Sequence, residues 1–405
     1  MIQAIAMDWH LFFQPLSDND QGPEDAPLLP HSSILLTPFA IRDDIHVGGI
    51  QISRSQSVPL AGALSVAYLS SVTTKSFPLP GWLDSERHCH PLAQALAISL
   101  TFITGYKCGF VINIPSNMPL DYLTEAQKRL AGLELPLITS GNRCNHIVPS
   151  GPDYDQYIST LFQLTDFLRS PQLEPKSREQ ILRSMELVAR AISLQHDDHG
   201  LALSLTVAAI EAAATVRYDG LASEDFFIQQ ENEDVDRFSE FVHSLRNDHP
   251  TIYRQHRSAI RKIVRRTIEF FEGKHYSTRK LIRFVETYAP YVTWDSLARH
   301  PWFDLPGGEY LIHAEPPWSQ QPSRLPDEDF QKLLRDTYRY RSNYVHSALQ
   351  PPGSAAPTSS TYFEVIHDWN TGKSTRVIKL ALLFGIARKC LLAWLVDTSS
   401  VNGES

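Results

Sequence analysis

Cysteine is scarce in this 405-residue chain, and the four that occur, Cys89, Cys108, Cys144 and Cys390, are scattered. That scatter excludes a small disulfide-stapled scaffold and fits a reducing compartment. Long apolar runs are also missing. The best candidate, 377–396, is broken by Lys379, Arg388 and Lys389 and reads as a buried helix, not a membrane span. The opening MIQAIAMDWHLFFQPL lacks the basic, apolar and small-residue order of a secretory leader, so the expectation is a cytoplasmic protein with no membrane. A basic excess is absent too. Lys and Arg number 37 against 45 Asp and Glu, a net charge of −8, so any nucleic-acid site must be a local patch. Glycine (19) is outnumbered by proline (27), which points to rigid loops, and no internal repeat occurs.

What is present is a foldable mixture of 42% hydrophobic and 20% charged residues, over a length that exceeds one ordinary core. Residues 1–170 look mixed. The β-prone runs SILLTPFAI (33–41), IHVGGIQIS (45–53) and CGFVINIP (108–115) surround one helix-like stretch, 91–104. From 175 onward helical periodicity takes over. Ile181, Met185, Val188 and Ile192 mark one apolar face, and the Ala- and Leu-rich 201–217 reads as a central helix. Further helices are expected near 235–247, 251–272, 277–288, 327–349 and 374–396. The fold class is therefore α+β: an N-terminal mixed α/β domain over 1–170 as a sensor or partner-binding module, then an all-α helical bundle over 175–398.

Charge is uneven between the halves. Residues 221–248 carry eight acidic side chains and two arginines, whereas 251–283 carry ten Lys or Arg against two Glu. Arg254, Arg257, Arg261, Lys262, Arg265 and Arg266, interleaved with Tyr253 and His256, form a helical segment able to track a phosphate backbone. The plainer alternative is a solvated helix face neutralised by the acidic stretch before it.

Several motifs lead nowhere. TGKST (371–375) ends like a phosphate-binding loop, but the required first glycine is His367, so it reads as a helix start capped by Thr371 or Ser374. HDDH (196–199) reads as capping between helices. RHCH (87–90) and CNH (144–146) match no zinc spacing, so neither a metal nor a cofactor is expected. No G-x-S-x-G elbow occurs.

The informative segment is DEDFQKLLRDTYRYRSNYVHSALQPPG, 327–353. It opens a helix after Pro326 and contains Arg341 and His346 with four residues between them; Arg339 offers a spacing of six. At 100° per residue Arg339 lies about 20° around the axis from His346, and Arg341 about 140°. On a straight helix Arg339 therefore shares the His346 face. Arg341 would need a distorted helix end or a second copy.

This segment resembles the R-x(4–6)-H motif of HEPN-domain proteins, all-α modules of toxin–antitoxin, abortive-infection (ApeA-like) and CRISPR-linked ribonucleases. The resemblance covers about 175–398. It includes AAIEAAATVR, like the family's early Glu-containing helix, and a final apolar helix after the motif. One departure is Ser342, where many active members carry Asn, Asp or His directly after the Arg. The resemblance implies metal-independent RNA cleavage leaving a 2′,3′-cyclic phosphate. His346 would be acid/base, Arg341 the phosphate stabiliser with Arg339 as substitute, and Asn343 and Tyr344 would orient the phosphate or the His. Glu211 is a weaker candidate. A homodimer, an RNA substrate and a protein partner or antitoxin follow from the same resemblance. The alternative is an inactive HEPN-like module that binds RNA or protein.

Overall fold

The computed structural model describes residues 10, 13, 31–47, 50–59, 66–74, 91–111, 120–132, 151–195, 197–219, 240–270, 276–298, 325–347, 362–368 and 372–401. The chain is α+β, mostly helical, with a small N-terminal sheet. Strands β1 (His31–Thr37), β2 (Ile45–Val47), β3 (Ile50–Ile52), β4 (Gln56–Pro59), β5 (Val66–Thr74) and β6 (Gly109–Phe110) pair antiparallel in the order β2-β3-β5-β1-β6. β4 joins the first half of β5 and β3 the second, so the long β5 carries two short strands along one edge. β1 is apolar on both faces for a reason. Leu35 enters the main core under helix α1 (Pro91–Thr104), while Ile34 and Leu36 meet Leu120, Leu123 and Ala131 around helix α2 (Glu125–Gly132). The run 45–53 thus divides into two strands, and the described part of 108–115 pairs only over two residues.

Helices α3 (Gly151–Arg169), α4 (Pro175–Leu194) and α5 (His199–Arg217) follow. α4 starts with Pro at its first turn and buries Ile181, Leu182, Met185, Val188 and Ile192, the stripe expected from spacing. Asp198 caps α5 by accepting from the Leu201 N–H at 2.9 Å. Small alanines let α4, α8 (Tyr276–Tyr288), α10 (Asp327–Ser347) and α11 (Leu380–Val401) all pack on α5. α5 is the one described helix long and apolar enough to cross a membrane, and these four neighbours account for its apolar sequence. Helical residues 240–248 (α6), α7 (Pro250–Phe270) and the short α9 (Trp294–Ala298) complete the helices. The main core runs without a break from β1 and α1 through α4 and α5 to α11. Arg388 of α11 also donates to the Ile103 carbonyl at the end of α1, 2.7 Å away.

Two expectations for the helical half need correction. It is not purely helical, because β7 (Phe363–Asp368) and β8 (Lys373–Ile378) form an antiparallel hairpin between α10 and α11. TGKST is therefore not a helix start: Gly372 holds φ of +66° in the hairpin turn, Ser374 and Thr375 lie in β8, and α11 begins only at Leu380. The β-branched Thr375, Val377 and Ile378 favour the strand, and pairing with β7 outweighs the local capping preference.

β8 is tied to α10 by one buried bond. The Ile378 N–H donates to Thr337 Oγ1 at 2.9 Å, while Thr337 itself donates to the Leu333 carbonyl. Thr337→Val keeps the shape but orphans the Ile378 N–H, and should cost about 1–3 kcal/mol in urea unfolding. A cost near zero would mean that β8 does not depend on this anchor.

Candidate nucleic-acid site

α10 places its side chains on two surfaces. Phe330, Leu333, Leu334 and Thr337 face the core, and Phe330 sits among Tyr291, Trp294 and Tyr362 with ring centroids 4.9–5.4 Å away. This aromatic seat fixes the first half of α10 and with it the direction in which the later residues project. Arg341 projects toward α5. Its Nη2 lies 3.1 Å from Glu211 Oε2, and the two side chains are about one-fifth exposed, at 21% and 19%. Tyr338, one turn earlier, donates to the other Glu211 oxygen at 2.9 Å. Burial first, and then the Glu211 carboxylate beside it, push the Tyr338 phenol up to about 12. It therefore stays protonated as a donor throughout the physiological range. Glu211 thus engages the motif arginine and an adjacent phenol from two sides.

Arg339 behaves differently. Its side chain is 64% exposed and its contact is with Asp336 on its own helix, at 3.7 Å. α10 is helical as far as Ser347, so the positional offsets of about 20° and 140° from His346 hold along its backbone. The structure brings together Arg341, Glu211 and Tyr338 and leaves Arg339 apart. Asn343, Tyr344 and His346 occupy helical positions, but their side chains lie outside the described residues.

The basic segment is α7. It bends where His256 leaves helical geometry (φ −110°, ψ 15°), and no described element packs extensively along it. Arg254, Arg257 and Arg261 are exposed; Lys262, Arg265 and Arg266 lie on the same helix with side chains outside the described residues. Of the acidic stretch before it, 221–239 lies outside the described residues.

The other clusters find ordinary roles where they are described. Asp198 caps α5, and His199 Nε2 lies 2.5 Å from the buried Glu364 of β7. Among the described residues no three His, Cys, Asp or Glu gather as a metal site. RHCH and CNH lie outside them. Spacing alone puts Tyr338 on one face with Phe330, Leu333, Leu334 and Thr337; its position three residues before Arg341 is the signal that would have added it to the site.

No known family matches the chain, and no curated protein or solved structure matches it either.

Proposed function

We propose that the chain is a metal-independent endoribonuclease of the HEPN type, acting without a cofactor on single-stranded RNA. The observation that carries the reading is the Arg341–Glu211 pair. The first residue of the R-x4-H motif is half-buried at the seam of two packed helices, held by the one carboxylate of an alanine-rich helix early in the bundle. An ordinary surface arginine would extend into solvent, as Arg339 does.

In this reading His346 removes the 2′-OH proton or protonates the leaving 5′-oxygen. The forked guanidinium of Arg341 meets the charge that builds on the phosphate. The 2′-oxygen attacks phosphorus, the 5′-oxygen leaves with a proton, and a 2′,3′-cyclic phosphate remains. Glu211 and Tyr338 hold the guanidinium in place, and Asn343 orients the phosphate. The 140° offset between Arg341 and His346 is met by two copies sharing one cleft, each supplying one residue, so the working form is a homodimer. Arg254, Arg257, Arg261, Lys262, Arg265 and Arg266 of α7 add sequence-independent affinity. The setting is a cytoplasmic defence or toxin-like system in which the N-terminal sheet meets a protein partner or antitoxin.

A second reading, a catalytically inactive HEPN-like binding module, draws on Ser342 and on the fact that Glu211 already neutralises Arg341. The test that separates them is cleavage of an end-labelled single-stranded RNA in EDTA. The ribonuclease reading expects cutting that chelator does not affect, with DNA of the same sequence intact for want of a 2′-OH. RNA binding without any cutting at micromolar protein supports the inactive module.

A further inference from the structure

A second group of cations lies where α10, one to two turns before Arg341, packs on α8. α8 and α10 pack antiparallel. Ser277 in the first turn of α8 bonds to Tyr338, and Gln331 near the start of α10 donates to Glu286 at 2.7 Å near the end of α8. Between these two ties, Arg279 of α8 lies within electrostatic reach of Arg335 of α10. Arg279 is only 8% exposed and its neighbour Lys280 only 7%. Burial first, and then the charge of Arg335, hold the Arg279 guanidinium below its ordinary range. Arg335 is partly buried and forms no hydrogen bond or ion pair with a described residue.

Two guanidiniums gathered at a partly dry seam repel each other, and an anion beside them converts that repulsion into attraction. Among the described residues the carboxylates nearby, Glu286, Glu211 and Asp327, already have interactions of their own. Glu286 lies about 10 Å further along α8 than Arg279 and accepts from both Tyr291 and Gln331. Glu211 accepts from Tyr338 and Arg341. Arg279 has contacts of its own, so Arg335 is the cation that would receive the anion.

We propose that Arg335, with Arg279 behind it, is a second phosphate subsite that binds a phosphate of the RNA strand flanking the one held by Arg341. Arg335 and Arg341 are six residues apart, about 9 Å along the helix axis and about 120° around it. The two are joined by a strand that crosses α10 obliquely from the α8 side to the α5 side, a path that takes in several phosphates at about 3.4 Å each. Such a strand places one phosphate at Arg341 and another at Arg335. This rests on the ribonuclease reading for its substrate but not for its charge. It makes the enzyme prefer a chain over a dinucleotide.

The experiment uses the full chain and a fluorescein-labelled 2′-O-methyl-RNA decamer, which carries the phosphates but cannot be cut. Binding is followed by anisotropy across a salt series. Arg335→Gln should weaken binding about three- to tenfold at low salt and lower the salt slope by about one, as expected for the loss of one neutralised phosphate. Arg335→Lys, which keeps the charge, should retain the slope. Arg190→Gln, a surface change on α4 where Arg190 pairs with Glu186, should leave both quantities unchanged. Failure of the native chain to bind the decamer, or an unchanged slope and affinity in Arg335→Gln, overturns the subsite. If the decamer result holds while ordinary RNA is never cut, the ribonuclease reading fails and the subsite stands.

Discussion

Arg341→Ala and His346→Ala should each slow cleavage of single-stranded RNA by about 10²–10³-fold. Removing one preorganised donor from a transition-state charge costs that much in rate, and losing a general acid or base costs a comparable factor. Arg339→Ala should stay within about fivefold of the native rate, because its exposed side chain pairs, among the described residues, with Asp336, a contact of little energy. Arg341→Lys keeps the charge, loses the fork, and should recover part of the rate. Folding has to be followed alongside, since Arg341→Ala leaves Glu211 with Tyr338 as its remaining donor. Both groups of the pair retain some exposure, so Glu211 can hydrate and the cooperative unfolding transition should survive. A severe loss for Arg339→Ala with a mild one for Arg341→Ala would assign the site to the six-residue spacing, and Glu211 would then hold a merely structural arginine.

The second large effect is on stability. Trp294→Ala should destabilise the chain by about 3–5 kcal/mol in urea unfolding, the usual cost of emptying a buried aromatic site. Trp294 is fully buried, donates its indole N–H to the Ala289 carbonyl at 2.9 Å, and packs on Tyr291 and Phe330 at centroid distances of 5.2 and 4.9 Å. Phe330 is the first buried residue of α10, so the cavity opens under the helix that carries Arg341. Trp294→Phe fills most of that volume and should cost clearly less. A loss below about 1 kcal/mol for the alanine variant, with an unchanged urea slope, would show that this aromatic seat does not hold α10.

Some of this organisation is legible in the residues themselves. Ile181, Met185, Val188 and Ile192 announce α4 because their spacing repeats along one face. Asp327 after Pro326 announces α10, and alanines mark α5 as the helix that others approach closely. The β7–β8 hairpin is harder to read. Its strands are six residues each, half polar, and joined through Gly372, so TGKST offers a convincing helix cap until the partner strand is known. The choice between Arg339 and Arg341 is likewise not a local matter. Periodicity gives their angle to His346, but which of them turns inward depends on where Phe330 seats the helix and on Glu211, 130 residues earlier in the chain. No pattern within 327–353 contains that information.

The most direct test of the central claim is the chemistry of the cut ends. RNA treated with the native chain in EDTA should carry a 2′,3′-cyclic phosphate on one fragment and a 5′-hydroxyl on the other. A single 2′-deoxy nucleotide at the scissile position should prevent the cut. Fragments ending in 3′-hydroxyl and 5′-phosphate, or activity that EDTA abolishes and magnesium or zinc restores, would contradict a reaction driven by His346 and Arg341.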